Sequence, residues 1–569
     1  MANEKKFEKF DILGCAKLAF NYLTTMVDKN VDDLPYWLVV PHAKPAYAKH
    51  CRVDDAELVA SWYEAIVAIR QMLGTEEGKE VESAFYRHLM KSWGKHGLRF
   101  HEPYPWTHTN HSSFHEMGYV LSALNRILIN NPANSEAEKH ASQLVRGLKA
   151  LAIHRQVKTF WSGDIVETEP VYEFPNDVFL NGAGFDLTRH TGRGEQAIRN
   201  GVLLLPLVER WHITGDEVAL DLAKGIANHL LGVSRYFNYK MEFFGHVHSS
   251  VWVASGLVKL GRLMNENWYI QKGKGIFDYV LSISSSFGWV PEYAQWRPEE
   301  EEYCETCCIK DMIQCGSELI AAGYEEYWEI LNRYSRNQLV ENQIKDGSFV
   351  PVDNSMADTV DTTYQDIDQR TVGGFSGGAD PNCISLKRFR SVAGCCVGTA
   401  PQAFQIIWDL GVNCVNNTVV VNIPFDKTLK EAEVITGYPN EGFIRVKLMS
   451  KMDVTIRVFD WMKEDLKGYV NGWERDLRIE GNLITFTGLS EGDRIELKHE
   501  LSTVAKKERV KGVDYTLYWR GADVVDISPK GDHIRLYQRE SGVPKYYPRP
   551  EDIGTVDASV VAVPSEQKK

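Results

Sequence analysis

No stretch of this sequence stays apolar for long. The longest uninterrupted runs, such as Gly201 to Val208, fall far short of the ~20 residues that cross a bilayer. The N-terminal MANEKKFEKFDILGC carries charges but no apolar core, so no secretory signal is expected. Without such a core, Ile12-Leu13-Gly14-Cys15 reads as a chance likeness to a lipoprotein box. An excess of positive charge is missing too: 64 basic residues face 77 acidic ones, a formal net charge of −13. Non-specific binding to nucleic acid or to an anionic membrane needs a basic face, so neither is an expected partner. These absences make a cytoplasmic location the expectation. Cysteine is scarce, ten in 569 residues, which excludes a disulfide-stapled miniature scaffold. No low-complexity tract stands out, and 44% hydrophobic with 25% charged residues is a globular composition.

What is present is length and aromatic surface. At about 100–200 residues per domain the chain holds two to four domains, or one very large domain and a smaller one. Fifteen Trp, 25 Tyr and 23 Phe supply flat faces that suit sugar rings as well as a large core. From about residue 15 to 412 the apolar spacing is helical, as in Ala56–Leu73, Ser112–Ile129, Ala197–Thr214, His246–Met264, Ile309–Ala322 and Glu325–Gln343. Several of these helices are apolar nearly all round, which predicts burial on both sides and hence two concentric helical layers. Beyond Val415 the pattern alternates with period two, in Ile444–Leu448, Val454–Phe459 and Leu483–Phe486, with Asn471-Gly472 as a turn. The expected architecture is an (α/α)6 toroid over residues 1–415, followed by an antiparallel β-sandwich over 416–569. Toroids followed by β domains recur among carbohydrate-active enzymes, an analogy of fold that names no reaction.

Seven of the ten cysteines fall between Cys304 and Cys396. In a reducing compartment such clustering fits metal binding or catalysis, although buried free thiols behave as small hydrophobes and fit it as well. Two segments stand out, Tyr303-Cys304-Glu305-Thr306-Cys307-Cys308 and Gly394-Cys395-Cys396-Val397-Gly398-Thr399. Adjacent cysteines pair poorly with each other but can reach one metal from a turn. Glu305, Cys307, Cys395 and Cys396 make a four-ligand set whose soft sulfurs favour Zn²⁺.

These motifs resemble glycoside hydrolase family 127 and its relatives, retaining β-L-arabinofuranosidases. The likeness lies in Glu305-Thr306-Cys307, in the Cys395-Cys396 pair, in Gly245-His246, and in the β-region runs Thr455–Val458, Val470-Asn471-Gly472 and Gly492–Leu497. It runs from about residue 195 onward. The resemblance implies a zinc-bound nucleophile at Cys395, zinc ligands Glu305, Cys307, Cys395 and Cys396, and a general acid/base at Glu292. Such an enzyme is an exo-acting glycosidase for a β-L-arabinofuranoside or a related plant-glycan sugar. Its partner is a glycoside or oligosaccharide, with a homodimer as a further expectation. Zinc keeps the attacking thiol deprotonated, and Glu292 protonates the leaving oxygen and then activates water. The run Glu299–Glu302 competes with Glu292 by position but reads as a solvated loop.

His246, His248 and His115 are the candidate sugar contacts. His101, His108, His111 and His115 crowd into HEPYPWTHTNHSSFHE, which suits a sugar pocket, a second metal or simply a packed loop. Where the family places a further histidine, this chain has Arg199-Asn200-Gly201-Val202. Cys304, Cys308 and Cys315 read as structural thiols. Two other functions compete: a catalytically inactive carbohydrate-binding protein with structural zinc, and a toroidal sugar epimerase or isomerase using His246 and His248.

Overall fold

The structure, a computed structural model, describes residues 5–50, 55–107, 111–161, 164–174, 178–180, 195–386, 391–549 and 551. His108, Cys51 and the tail from Val561 to Lys569 lie outside the described residues. The helices run α1 (Ile12–Thr25), α2 (Asp55–Leu73), α3 (Lys79–Leu89), α4 (Phe114–Asn130), α5 (Ser135–Leu151), α6 (Glu195–Arg199) and α7 (Leu204–Thr214). They continue with α8 (Glu217–Asn228), α9 (Val247–Met264), α10 (Asn267–Ser282), α11 (Thr306–Ala321), α12 (Trp328–Tyr334), α13 (Ile367–Thr371) and α14 (Gly394–Gly411).

Burial divides these helices into two kinds. Helix α2 buries 17 of its 19 residues, so it has neighbours on every side. Helix α5 buries a single stripe of Ala137, Ala141, Leu144, Val145, Gly147 and Leu148, the mark of a helix with one wet face. Packing follows the same division. Helices α2, α4, α7, α9, α11 and α14 pack in succession, and α14 returns against α2. Behind them, α1 packs on α2 and α14, α3 on α2, α5 on α4, α8 on α7, α10 on α9 and α12 on α11. Because an outer helix follows each inner one, the inner helices all run the same way, and their N-termini gather at one end.

The return of α14 to α2 depends on close backbone approach. A Cβ on Gly398 would meet Ser61 Oγ at 2.3 Å and Ser61 Cβ at 2.7 Å. One turn earlier, Trp62 Nε1 of α2 donates to the Gly394 carbonyl at 2.9 Å.

Two of the helical stretches expected from sequence are interrupted. Ala197–Thr214 divides into α6, a 3-10 turn at Gly201–Leu203, and α7. Glu325–Gln343 divides into a 3-10 turn, α12, and a π-helical turn at Ser335–Leu339 with non-helical angles at Asn337. The cause is tertiary: Asn337 Nδ2 donates to the Ala522 carbonyl at 2.9 Å, and its Oδ1 accepts from Val524 N at 2.8 Å. Arg336 beside it pairs with Asp523 at 3.2 Å. The chain thus gives up helix geometry to hydrogen-bond the β region. Between α5 and α6 lies an antiparallel hairpin, Ile153–Trp161 with Asp164–Glu173, that the sequence reading passed over.

From Val412 onward the chain is β-rich. One sheet has five strands in the order Val412–Val415, Thr418–Val421, Asp453–Arg457, Leu483–Phe486 and Ile479–Glu480. A second has six: Lys427–Thr428, Ala432–Thr436, Phe443–Leu448, Arg494–Lys498, Lys467–Val470 and Trp473–Arg475. A third joins Thr503–Val510, Val513–Arg520 and Asp523–Ser528. Alternation works as expected in Phe443–Leu448, where Ile444, Val446 and Leu448 are buried. The turn at Asn471-Gly472 has positive φ at both residues, 53° and 83°, as a two-residue hairpin requires. One pair corrects the antiparallel expectation: Thr418–Val421 and Asp453–Arg457 run parallel. Between them the chain makes three reversing strands in the second sheet, so it re-enters the first sheet in its original direction. Among the described residues no helix is long and apolar enough to cross a membrane.

Replacing Gly398 by Val should push α14 off α2. The overpacking should cost about 1–3 kcal/mol, read as a lower thermal midpoint than that of wild type.

Candidate metal centre

The thiolate cluster is built at two helix starts. Glu305 is the extended residue capping α11, and Cys307 is the second residue of that helix. Ala393 caps α14, and Cys395 and Cys396 are its second and third residues. The Glu305 side chain makes no cap hydrogen bond; its Oε1 instead lies 3.4 Å from Cys395 Sγ. Cys307 Sγ lies 3.4 Å from Cys396 Sγ, and Thr399 Oγ1 donates to Cys307 Sγ at 3.2 Å. One donor atom from each of Glu305, Cys307, Cys395 and Cys396 lies within 4.8 Å of the others, and all four residues are buried. Backbone N–H groups at both helix starts bring partial positive charge to these sulfurs, which favours thiolate. Yet burial, and then the neighbouring thiols, push Cys307 well above the ordinary thiol range. Burial does the same to Cys396. Three sulfurs and a carboxylate crowded without a cation are electrostatically poor, and a bound divalent ion would invert that balance. The donor set fits Zn²⁺ in number and in softness.

Beside the cluster stands a carboxylate held by backbone pairing. Gly245–His246 pairs antiparallel with Tyr293–Ala294. Glu292 N donates to the Tyr303 carbonyl at 2.8 Å, and the Glu292 carbonyl accepts from Val247 N at 2.9 Å. Glu292 is thereby fixed to the start of α9, and donor atoms of His246, Glu292 and Glu305 come within 4.8 Å of one another. His246 Nε2 is 3.3 Å from Glu305 Oε2, and its Nδ1 is 3.0 Å from Ser249 Oγ. Arg297 Nη2 reaches Glu292 Oε2 at 2.5 Å, while its Nε is 3.4 Å from Glu302 Oε2. The guanidinium lies over the Tyr293 and Tyr303 rings, 4.8 and 4.4 Å from their centroids. Glu299, Glu300 and Glu301 are exposed, as a solvated loop should be, but Glu302 is buried. Burial pushes its carboxyl up to about 7 against the pull of Arg297.

The three candidate sugar contacts differ in what they touch. His115, second residue of α4, has Nδ1 3.6 Å from Glu57 Oε2. Burial, then His248 and His246, push its imidazole down to about 3, so it is neutral. His115 and His246 keep part of their side-chain surface accessible, 18% and 12%. His248 is buried with both ring nitrogens engaged: Nδ1 hydrogen-bonds Asp311 of α11, and Nε2 meets Tyr119 Oη at 2.7 Å. Burial disfavours its charged form, but Asp311 outweighs burial and raises its pKa. His101 and His111 stand outside this group, with Glu116. Cys304, Cys308 and Cys315 are buried free thiols.

Sequence reasoning passed over Glu57, Tyr119, Asp311 and Arg297. Two of these carried a readable signal: Tyr119 lies four residues after His115, and Asp311 four after Cys307, so each pair shares a helix face. Glu302 was hidden inside an acidic run whose other members are solvated.

No protein-family model matches the chain, and no curated protein sequence is significantly similar to it. Solved structures are similar in fold. A β-L-arabinofuranosidase of glycoside hydrolase family 127 from Geobacillus stearothermophilus T6 superposes with a TM-score of 0.55 at 13% identity, covering 91% of this chain and 80% of that one. A family 127 β-arabinofuranosidase gives 0.59 at 15% identity, covering 91% and 83%. A further glycoside hydrolase gives 0.58 at 12% identity, covering 91% and 81%. The shared fold therefore reaches into the N-terminal third, where the sequence motifs did not.

A carboxyl whose pKa is raised on folding costs stability once it must ionise. For Glu302 the cost is absent below the ordinary value of 4.5, grows as pH rises, and is complete above about 7. The thermal midpoint of Glu302→Gln, relative to wild type at each pH, should therefore rise between pH 4.5 and pH 8. A difference that stays flat would show that Glu302 titrates normally.

Proposed function

We propose that this chain is a retaining exo-glycoside hydrolase acting on a β-L-arabinofuranoside or a related plant-glycan sugar. In this reading residues 1–415 form an (α/α)6 catalytic toroid and residues 416–569 a β-sandwich domain. The observation that carries it is the meeting of two reactive groups on Glu305. Cys395 Sγ lies 3.4 Å from one oxygen of that carboxylate, and a Glu292 oxygen lies within 4.8 Å of a Glu305 oxygen. A nucleophile and a proton donor on either side of one small space are what retention requires.

Glu305, Cys307, Cys395 and Cys396 would hold Zn²⁺. When bound, the ion supplies positive charge that keeps the cysteines as thiolates at neutral pH. Cys395 Sγ attacks the anomeric carbon, and the bond from that carbon to the leaving oxygen breaks. Glu292 gives its proton to that oxygen. In the second half Glu292 takes a proton from water, the water oxygen bonds the anomeric carbon, and the carbon–sulfur bond breaks, returning Cys395. His246 and His115, with part of their surface open, are the proposed hydroxyl contacts. His248 joins them from behind: Asp311 and Tyr119 occupy its nitrogens, so its proposed role is to hold those two side chains in place. That same engagement weakens the epimerase reading, which needs His248 free to exchange protons.

The test is metal analysis together with a panel of nitrophenyl glycosides, on wild type and on Cys395→Ser. Wild type should release nitrophenol from a furanoside, and Cys395→Ser should lose at least about 10³-fold in kcat/KM. No turnover by the metal-loaded wild type on furanosides, pyranosides or acidic sugars would sink the reading, as would an active Cys395→Ser.

A further inference from the structure

A second group of metal-ligand type lies apart from the cysteines. One donor atom from each of His101, His111 and Glu116 falls within 4.8 Å of the others. The three residues are buried, 2%, 7% and 0% exposed, which is unusual for two imidazoles and a carboxylate together. They arrive from separate places: His101 from the segment after α3, His111 from the short strand His111–Ser113, and Glu116 from the first turn of α4. The His101 and His111 rings lie 3.9 Å apart between centroids. His101 Nε2 faces the two Glu116 oxygens at 3.0 and 2.8 Å. The His101 N–H donates to the His111 carbonyl at 2.9 Å, which holds the two histidines in register.

The surroundings have the form of an outer layer of ligand supports. His101 Nδ1 is a buried atom without a hydrogen bond, and Asp55 Oδ1 lies 3.4 Å from it. Asp55 is itself gripped by the fully buried Arg99 through two contacts of 3.2 Å. Glu116 Oε1 accepts the Ala56 N–H at 3.1 Å. A carboxylate behind a histidine, and an N–H behind a ligating carboxylate, are the contacts that orient metal ligands and set the histidine tautomer. An ion at this point would take the place of the Nε2 proton that joins His101 to Glu116 and leave the remaining ring proton on Nδ1, beside Asp55.

We propose that His101, His111 and Glu116 form a second metal site, separate from the thiolate cluster. Its nitrogen and oxygen donors select a borderline divalent ion, Zn²⁺ first, and three protein ligands leave a fourth position for water. The ion ties the segment carrying Arg99 and His101 to the start of α4, and through Asp55 and Ala56 to the start of α2. His115 directly precedes Glu116, so this ion sets where His115 stands. The site needs none of the cysteines and stands or falls independently of the hydrolase reading.

Cobalt tests it on the full chain. Apo-protein titrated with Co²⁺ should take up two equivalents. One should give the intense near-ultraviolet sulfur-to-cobalt band of a thiolate site; the other should add only weak visible bands. Elemental analysis of the zinc-loaded protein should count two ions in wild type. His111→Ala should count one, with the sulfur band intact and a lower thermal midpoint. His111→Gln, closer in size, guards against a folding defect and should also count one. In Cys396→Ser the sulfur band should weaken while the second equivalent remains. A count of one that survives Cys396→Ser and disappears in His111→Gln would support this site and remove the thiolate one. Wild type that never exceeds its sulfur-bound equivalent, or His111→Gln that keeps two ions, overturns the proposal and leaves His101 and Glu116 as a metal-free pair.

Discussion

The site depends on the return of α14 to α2. Cys395 and Cys396 sit in the first turn of the last inner helix, while Glu305 and Cys307 sit at the start of the one before it. Between Cys307 and Cys395 lie 87 residues, and one stretch of them joins the two starts: the Ser376 carbonyl accepts from Thr306 N at 3.3 Å and the Phe375 carbonyl from Ala393 N at 3.0 Å. From the other side, α2 receives α14 through Gly398 against Ser61 and through Trp62 on the Gly394 carbonyl. Once α14 is seated there, the α11 and α14 starts come within sulfur contact, and Cys307 meets Cys396. The thiolate cluster thus rests on two supports, the backbone link through Phe375 and Ser376 and the packing of the last helix on the early one.

A buried cluster of this kind also needs its surroundings tuned. Burial alone drives thiols neutral, as it does for Cys307 and Cys396. Helix starts and a cation pull the other way. Beside Glu292 stands Arg297, which shares itself between Glu292 and Glu302 while lying over two tyrosine rings. An arginine so placed is costly to bury and cannot easily leave, so it fixes the loop from Tyr293 to Tyr303 as well as its charge. The β region takes part in the same fixation: Lys511 Nζ pairs with Asp380 at 2.7 Å, and Gly512 N donates to Glu299 Oε1 at 2.9 Å.

Much of the fold and part of the site were legible in the sequence. The change from period 3.6 to period two near residue 412 marks the real transition from α14 to the strand at Val412. Helices buried on all sides announced two layers. The quartet Glu305, Cys307, Cys395 and Cys396 was readable because each half is a short motif whose members act from adjacent positions. The illegible parts rest on contacts between distant segments. Helix periodicity continued through Asn337, but that side chain bonds the strand beginning at Asp523 and breaks the helix. The parallel pair of Thr418–Val421 and Asp453–Arg457 follows from how many strands intervene in the other sheet, which local alternation does not record. Asp311 and Tyr119 were visible as i+4 neighbours of residues already chosen, but their value appears only when His248 is found between them.

The shared direction of the inner helices gathers the candidate site residues at one rim of the ring. Glu57, His115, His246, His248, Cys307, Cys395 and Cys396 all lie at or beside helix starts; the ends near Leu73, Asn130, Thr214, Met264 and Ala321 carry none of them. At the opposite rim Gly215 turns with φ of 71° in open space. That asymmetry gives the molecule a natural orientation for handling. A tether or label placed at the turn after Thr214 would fasten the protein to a support by the end away from the candidate site, with its histidines and thiols at the opposite rim.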